Sequence, residues 1–451
     1  MYKAPGWTAR RAFDRKTTEM AISGKSNRRG FLQKTGAAVI GGSLIMNLAG
    51  ANRARAAGRN NTLKVGLIGC GGRGSGAAVQ ALNADPDVEL TMMADVFPDR
   101  LEKSYLELLE TVPDKVKVDK AHKYIGFDAY KKIIESDVDV VLLATPPAFR
   151  PDHFTAAVNA GKHVFCEKPV AVDAPGVRKV LAAAKKAREK KLSVVSGFCF
   201  RYDLPKRAFY DRILKGEAGE ILTVTTVRNG GYLWTKPRQP EWKDMEYKMR
   251  NWMYYNWLSG DFITEMMVHS LDQMSWALGD KLPVRATGTG GRQTRTEEIY
   301  GNVFDHFAIE YEYENGVKGY HFSRQQEGCS DISKVEIAGS KGRGLVVGGV
   351  HEITGKKKWE YQGEKNNMYQ TQHDELFASI RKGKPINDGE KMANSTMLAV
   401  LGRMVAYTGQ TISWEEAMKS NQVLAPVIDE FSWDLRWPGL EIAKPGITKF
   451  A

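Results

Sequence analysis

The residue types that proton transfer requires occur together in Glu167-Lys168-Pro169. This triplet follows the apolar run His163–Cys166, and the proline restricts the backbone directly after the lysine. A partly buried lysine near another positive charge has its charged form disfavoured, which suits a proton relay near neutral pH. We expect Lys168 to take the proton of a substrate hydroxyl while Glu167 positions it. The alternative is a surface lysine in a turn.

A second set of ionisable residues has helical spacing. Glu265, His269 and Asp272 lie within residues 260–272, a segment that we predict to be one helix. Because they are four and three residues apart, their side chains would share one face. His269 would then share general acid–base catalysis with Lys168, and Glu265 would orient the hydroxyl. The alternative is an ion pair on a helix surface beside a core histidine.

A glycine-rich loop lies between an apolar run, residues 63–68, and a predicted helix that starts near residue 76. In this context the spacing G-x-G-x-x-G is typical of dinucleotide binding. The first glycine permits a tight turn, the second lets backbone amides approach a pyrophosphate, and the third allows close helix packing. The pyrophosphate would lie at the positive end of the helix. The loop residues that we assign to the cofactor are Gly69, Gly71, Gly72, Arg73 and Gly74.

Asp95 indicates which dinucleotide binds. It ends a second apolar run about 20 residues beyond the glycines, where a carboxylate accepts a hydrogen bond from the ribose 2′-hydroxyl and repels a 2′-phosphate. We therefore expect NAD, although NADP stays possible because Arg73 and Arg100 could contact a phosphate. The alternative is a glycine turn between core strands, with Asp95 capping a helix. Thr145 and Pro146 end a later strand at the ligand-binding edge of a parallel sheet, and we assign them to the cofactor too. Glu167 and Lys168 are assigned to it as well, since Glu167 would position either the lysine or the nicotinamide ribose.

Two domains are predicted. Strands alternate with helices over residues 60–197, which predicts an α/β domain with a doubly wound parallel sheet of the Rossmann type. Residues 198–430 show alternating patterns typical of an α+β domain with an open, mainly antiparallel sheet, in which Asn315-Gly316 forms a hairpin turn. Residues 431–451 would be a C-terminal tail. The strands of the second domain are expected at 222–228, 306–313, 317–323 and 334–338, and its last helices at 372–381 and 392–408.

Residues 1–57 have the order of a signal peptide. The pair Arg28-Arg29 precedes a mildly apolar, glycine-rich stretch, and Ala54-Arg55-Ala56 provides a small-residue cleavage site. This order resembles a twin-arginine signal, with Asn27 where serine or threonine is commoner. The apolar stretch is too short for a stable membrane anchor. We expect export to the periplasm by the twin-arginine machinery; a disordered basic tail or an uncleaved anchor is the alternative.

The basic composition belongs mainly to this leader. The chain carries a formal net charge of +12, but residues 1–56 hold eleven lysines and arginines and two acidic residues, which leaves +3 for the remainder. No nucleic-acid motif is visible there, so we expect no nucleic-acid partner. The four cysteines do not form a disulfide framework, and no spacing indicates metal ligands.

The segment around Glu167-Lys168-Pro169 resembles the Gfo/Idh/MocA family, the glucose-fructose oxidoreductase and inositol dehydrogenase type. The glycine loop, Thr145-Pro146-Pro147 and the Glu265–Asp272 segment match in the same order, so the resemblance covers roughly residues 62–420. It implies an N-terminal Rossmann domain, a C-terminal sheet domain for substrate and oligomer contacts, and NAD(P)-linked chemistry on sugars or polyols. The family usually has Asp where Glu265 stands, and its histidine after the Thr-Pro turn lies nearer than His153 does here.

Candidate substrate-binding residues follow from the resemblance and from an aromatic segment. Arg201, Tyr202 and Asp272 come from the family pattern. Residues 232–257 hold eight tyrosines and tryptophans, including Trp234, whose flat faces could stack on a sugar ring. An interface or core patch explains the same aromatic residues equally well.

Three functions are compatible with these residues. We expect an exported NAD-dependent oxidoreductase that acts on a sugar, polyol or glycoside. The second is a redox-neutral glycosidase that oxidises a hydroxyl transiently, although similar glycosidases tend to lack the lysine at position 168. The third is a binding protein without activity. An open sheet with exposed aromatic residues favours a homodimer or homotetramer.

Overall fold

Two β-sheets organise the chain. The structure is a computed structural model that describes residues 62–437 and 441–450. The twin-arginine signal predicted over residues 1–57 lies outside the described residues. Within the described residues, no helix is both long and apolar enough to cross a membrane.

The first sheet is parallel throughout and has the strand order β3-β2-β1-β4-β5-β6. Its strands are β1 (Leu63–Ile68), β2 (Val88–Asp95), β3 (Lys123–Ile125), β4 (Val140–Leu143), β5 (His163–Cys166) and β6 (Val194–Ser196). The central strand β4 is apolar and fully buried because helices cover both faces of a parallel sheet. These helices are α1 (Gly72–Asn83), α2 (Pro98–Thr111), α3 (Ala129–Ile134), α4 (Arg150–Asn159) and α5 (Ala174–Glu189). The predicted doubly wound α/β fold is confirmed.

The second sheet has nine strands in the order β14-β13-β12-β11-β7-β10-β9-β8-β15. Only β7 and β10 pair in parallel, so the sheet is mixed and mainly antiparallel, as predicted. Its strands are β7 (Ile221–Gly230), β8 (Arg285–Gly291), β9 (His306–Glu312), β10 (Lys318–Gln325), β11 (Ile332–Gly339), β12 (Gly342–Val347), β13 (Val350–Gly355), β14 (Trp359–Glu360) and β15 (Ile412–Ser413). The hairpin turn at Asn315-Gly316 is confirmed, since both residues have positive φ between β9 and β10.

Eight helices follow residue 200 in the described chain, and two of them pack on helices of the first sheet. They are α6 (Leu204–Leu214), α7 (Asp244–Arg250), α8 (Asn256–Ser259), α9 (Phe262–Glu265), α10 (Val268–Ala277), α11 (Met368–Arg381), α12 (Gly389–Thr408) and α13 (Trp414–Lys419). Helix α11 packs on α1, and α12 packs on α5, so the chain returns to the first sheet near its end. The backbone of Val194 in β6 also bonds to Ile386 and Asp388, which lie between α11 and α12.

The single helix predicted over residues 260–272 is wrong. The structure has α9 and α10 instead, separated at Met266-Met267. The carbonyl oxygen of Glu265, the last residue of α9, accepts a hydrogen bond from Lys168 Nζ at 2.6 Å. A terminal carbonyl of a helix has no partner within its own helix, so the lysine satisfies it.

Four of the eight rings of the aromatic segment 232–257 are buried, and two of them belong to a cluster that includes residues of both domains. Tyr255 and Trp257 pack with Phe97 and Phe149, which follow strands of the first sheet, and with Phe431 near the C-terminus. The core or interface explanation therefore applies to these rings, because a buried ring cannot stack on a sugar. Trp234 differs, since 45% of it is exposed.

Candidate active site

The glycine-rich loop has the geometry that its spacing predicts. Gly69 has φ of 97°, and a Cβ atom there would lie 2.7 Å from the backbone of Ala144 and Thr145. A Cβ on Gly74 would overlap the carbonyl oxygen of Gly69, so the helix could not approach the strand. At Gly71 and Gly72 the space is open, no side chain caps α1, and its first turn holds no acidic residue. These features leave the start of α1 available to an anion.

Asp95 lies beside this loop, at the end of β2. Its two carboxylate oxygens accept hydrogen bonds from the backbone amides of Cys70 at 2.6 Å and Phe97 at 2.8 Å. Burial raises the pKa of Asp95, and these hydrogen bonds oppose the shift. Asp95 therefore fixes the glycine loop in addition to any contact with a ribose. The guanidinium of Arg100 lies near, 4.6 Å above the ring of Phe97.

Arg73 points away from the Asp95 side of the loop. Its Nε atom lies 3.2 Å from Oε1 of Glu167, and its guanidinium lies 5.0 Å from the centre of the Tyr369 ring. A further hydrogen bond connects it to Gln80. In this arrangement the guanidinium of Arg73 holds the carboxylate of Glu167 and is not directed toward the 2′-phosphate of an NADP.

Thr145 follows β4 at the predicted edge, and its hydroxyl lies 3.2 Å from Nδ1 of His153. Pro146 comes next, before the turn that leads into α4. His153 is buried, with its ring 4.1 Å from that of Tyr130. Burial lowers the pKa of His153 to about 3, so this histidine is neutral and supports the Thr145 turn.

Lys168 and Glu265 meet at the centre of the site. The Nζ atom of Lys168 donates to the carbonyl oxygen of Glu265 at 2.6 Å and to its carboxylate at 3.1 Å. The two side chains are only 14% and 13% exposed. Glu167 is buried beneath them, where its carboxylate accepts from the backbone amide of Lys168 and contacts Arg73. The structure thus brings together the glycine loop and the predicted proton-transfer residues.

His269 lies close to this pair. Its ring is 5.0 Å from that of Phe200, and its buried Nδ1 atom has no hydrogen-bond partner among the described residues. Burial, with contributions from the charges of Lys168 and Arg228, lowers the pKa of His269 well below its usual value. A neutral imidazole with a free nitrogen can donate to or accept from a substrate hydroxyl.

Three of the four predicted substrate-binding residues, Arg201, Tyr202 and Asp272, bond to other side chains of the protein. Asp272 is buried, accepts two hydrogen bonds from Arg201 Nε at 2.9 and 3.0 Å, and accepts a third from Ser395. Tyr202 is also buried, and its hydroxyl donates to Asp388 at 2.7 Å. These contacts hold α10 and α12 to the segment after β6. Trp234 lies on an exposed loop after β7.

Three residues that we did not predict complete the site. Arg228 on β7 is half-buried and interacts electrostatically with Glu265 and Tyr369. Tyr369 hydrogen-bonds Cys199, and burial raises the pKa of the tyrosine to about 12 and of the cysteine to about 11. No motif marks these residues, because each lies in a strand or helix of ordinary composition and reaches the site only through the fold.

The residues present fit a dinucleotide. The open loop at Gly71 and Gly72 would hold the pyrophosphate, Asp95 would meet the adenosine ribose, and Lys168 would face the nicotinamide end. The fold also places the loop, Thr145 and Lys168 at the carboxyl ends of neighbouring parallel strands, where ligands of such sheets bind.

Comparison with known proteins agrees with this geometry. The family model for the oxidoreductase family with an NAD-binding Rossmann fold, GFO_IDH_MocA, matches residues 63–196, and that for the GFO/IDH/MocA C-terminal domain matches residues 207–344. Inositol 2-dehydrogenase of Rhizobium meliloti is 26% identical over 286 residues, 62% of this chain and 74% of the relative. Myo-inositol 2-dehydrogenase of Thermotoga maritima is 25% identical over 311 residues, 68% and 81% of the two chains.

A solved structure has the same fold. The 3-ketoreductase of Actinomadura kijaniata, crystallised with NADP and TDP-benzene, superposes with a TM-score of 0.60 at 20% identity, over 77% of this chain and 98% of the other. The nucleotide-binding loop, the family model and the dehydrogenase relatives together define an NAD(P)-dependent dehydrogenase. The chain belongs to the Gfo/Idh/MocA oxidoreductases, as its sequence predicted.

Proposed function

We propose that this dehydrogenase transfers a hydride between a secondary alcohol carbon of a sugar or polyol and a nicotinamide cofactor, with NAD preferred. The observation that carries this proposal is the position of Lys168. Its Nζ atom is held by Glu265 at the sheet edge that also carries the glycine loop. The two relatives named as inositol dehydrogenases support a polyol or sugar as the substrate.

In this proposal the neutral amine of Lys168 takes the hydroxyl proton when the alcohol is oxidised, and the protonated lysine returns it when the ketone is reduced. Loss of hydride from a secondary alcohol requires that the hydroxyl proton leave as well, and a base within hydrogen-bond reach lowers that barrier. Glu265 fixes the lysine and accepts a hydrogen bond from a second hydroxyl, while neutral His269 orients the reacting one. A bound nicotinamide would supply the hydride acceptor in one direction and the hydride donor in the other.

The test is an assay of the purified chain with sugars, polyols and chromogenic glycosides, which follows NADH absorbance and release of the chromophore together. Lasting NADH with a free sugar or polyol supports the proposal. Release of the chromophore without lasting NADH would instead favour the redox-neutral glycosidase. Neither signal, together with no binding of a dinucleotide, would refute both functions.

Matched variants assign the proton transfer. Lys168→Met should lower kcat by about 10²- to 10⁴-fold, the range expected for loss of a general acid–base group. The control, Lys103→Met, removes an exposed lysine and should change little. If Lys168→Met keeps normal kcat, the lysine does not move the proton.

We further propose that the chain is exported by the twin-arginine pathway and acts as a homo-oligomer. The arginine pair at residues 28–29 supports export, and the exposed Phe322 on β10 supports contact between sheets of two copies. Replacing both arginines by lysine should keep the protein in the cytoplasm. The mass of the native protein in solution gives the oligomeric state, and a monomer would refute the second part.

A further inference from the structure

We propose that Arg228 binds an anionic group of the substrate, so that the sugar or polyol carries a carboxylate or a phosphate in addition to the hydroxyl that reacts. This inference rests on the proposed function, because it concerns the same site. It concerns a group that lies away from the reacting carbon, on the second-domain side of the site.

The first observation is a count of charges. Glu167 pairs with Arg73, Glu265 pairs with Lys168, and Asp272 pairs with Arg201. Among the residues that the structure describes, the side chain of Arg228 forms no ion pair and no hydrogen bond, although the charges of Glu265 and Tyr369 act on it. Arg150 is a second cation near these carboxylates without an ion pair, but it is buried and donates to the carbonyl oxygen of Pro169. Arg228 is thus the one cation of the described site with neither kind of partner.

The second observation is the direction of Arg228. On β7, Thr226 is buried and hydrogen-bonds Nδ1 of His321 at 2.8 Å. Since side chains alternate along a strand, Arg228 lies on the same covered face, two residues further along. In the pairing with β10 it stands opposite Ser323, which is also buried on that face. The arginine therefore faces the interior between the sheet and α9–α10.

The third observation is that the groups interacting with Arg228 are uncharged apart from Glu265, which already pairs with Lys168. Burial lowers the pKa of His269 well below its usual value and that of His321 to about 3, so both rings are neutral. Tyr369 and Cys199 are protonated, since burial raises the pKa of each. Burial also lowers the pKa of Arg228, which shows the cost of holding this charge away from water.

A ligand can supply the missing negative charge. A guanidinium binds a carboxylate or a phosphate through two parallel hydrogen bonds, a geometry that a lysine cannot match. The oxidised nicotinamide adds a further positive charge, which makes an anionic substrate more favourable and a cationic one less so. A sugar acid or sugar phosphate fits these charges better than a neutral sugar does.

The experiment compares neutral sugars and polyols with the matching uronates and phosphate esters in the NADH assay. We expect the wild type to favour the anionic member of a pair at least tenfold in kcat/KM, a difference in the range for charged hydrogen bonds. Arg228→Gln should abolish most of this preference, and Arg228→Lys should retain part of it. The control, Arg324→Gln, removes a cation from the uncovered face of the neighbouring strand and should leave the preference intact.

The two kinds of anionic substrate identify the bound group. A preference for uronates indicates a carboxylate, and a preference for phosphate esters indicates a phosphate; either result supports the proposal. A wild-type preference for neutral sugars would overturn it. So would an equal loss of kcat/KM for neutral and anionic substrates in Arg228→Gln, which would place Arg228 at the reacting hydroxyl.

A failure of the proposed dehydrogenase function can be distinguished from a failure of the anion site. If no substrate reduces NAD, calorimetry with glucuronate and glucose 6-phosphate on the NAD-loaded protein tests the arginine alone. Binding that is lost in Arg228→Gln and kept in Arg324→Gln would support the anion site. Absence of any binding would refute it.

Discussion

The Nε atom of Arg73, in the first turn of α1, lies 3.2 Å from Oε1 of Glu167 and joins the nucleotide loop directly to the segment that carries Lys168. The sequence predicted only that Arg73 lines the cofactor. The contact means that the same helix start that would hold a pyrophosphate also holds the carboxylate beneath Lys168.

Arg73→Gln should therefore affect turnover more than cofactor binding. Without the guanidinium, the buried carboxylate of Glu167 lacks its cation and the Lys168 backbone is less well held. We expect kcat to fall about tenfold, because the buried carboxylate of Glu167 loses its ion-pair partner, while the Kd of NAD changes by less than about threefold. Steady-state kinetics and a fluorescence titration with NADH measure the two quantities. Arg73→Lys, which keeps the charge, should be milder; a large change in Kd with normal kcat would contradict this assignment.

The cofactor preference should depend on Asp95. Its carboxylate lies at the end of β2, where a 2′-phosphate would be repelled. Asp95→Asn keeps an oxygen that can accept from a backbone amide but removes the charge, so the ratio of kcat/KM for NAD to that for NADP should fall at least about tenfold. The exposed Asp114→Asn serves as the control. An unchanged ratio would mean that another group, such as Arg100, decides the preference.

Asp272 should contribute to stability more than to substrate binding. It is 1% exposed and is held by Arg201 and Ser395. Asp272→Asn removes one of the two carboxylates that bind the mostly buried guanidinium of Arg201, the other being Asp280, and should lower the free energy of unfolding by about 2 kcal/mol. Urea unfolding measures this, with Asp429→Asn at a surface pair as the control, where the change should stay below about 1 kcal/mol. A raised KM with normal stability would restore Asp272 to the substrate site.

Buried neutral histidines should make the protein less stable in acid. The pKa values of His153 and His321 are about 3 in the folded chain, against 6.5 for an ordinary histidine. As the pH falls below about 6.5, the unfolded chain binds protons that the folded chain cannot, so each histidine lowers the free energy of unfolding by about 1.4 kcal/mol per pH unit. Above that pH the effect is absent. Urea unfolding at several pH values gives the slope of the unfolding free energy against pH. His153→Gln should reduce that slope by about 1.4 kcal/mol per pH unit.

The part of the fold that was predictable is the part that local pattern decides. Apolar runs separated by helical segments define the parallel sheet, and Asn315-Gly316 has two residues that tolerate positive φ, so the hairpin follows from the turn alone. The break between α9 and α10 could not be foreseen, because Met266-Met267 contains no helix breaker. It coincides with a carbonyl bonded to Lys168, almost a hundred residues earlier in the chain.

The candidate site likewise contains residues that a motif marks and residues that only the fold brings there. Lys168, Glu265 and the glycine loop were predictable because motifs mark them, and the structure places them together. Asp272 was expected on the face of Glu265 and instead binds Arg201, since a buried carboxylate pairs with the nearest available cation. Arg228 carries no motif at all, and only the strand register shows which way it faces.

The return of α11 and α12 to the first sheet has a consequence for how the protein is made. Helix α11 covers α1 and the segment after β6, so the wall of the nucleotide site nearest the glycine loop comes from residues that the ribosome adds late. During synthesis, the glycine loop and α1 leave the ribosome first, and the face of α1 that α11 covers stays exposed until the second sheet is complete. A nascent chain could therefore admit the dinucleotide through that open flank and close over it in the final step of folding.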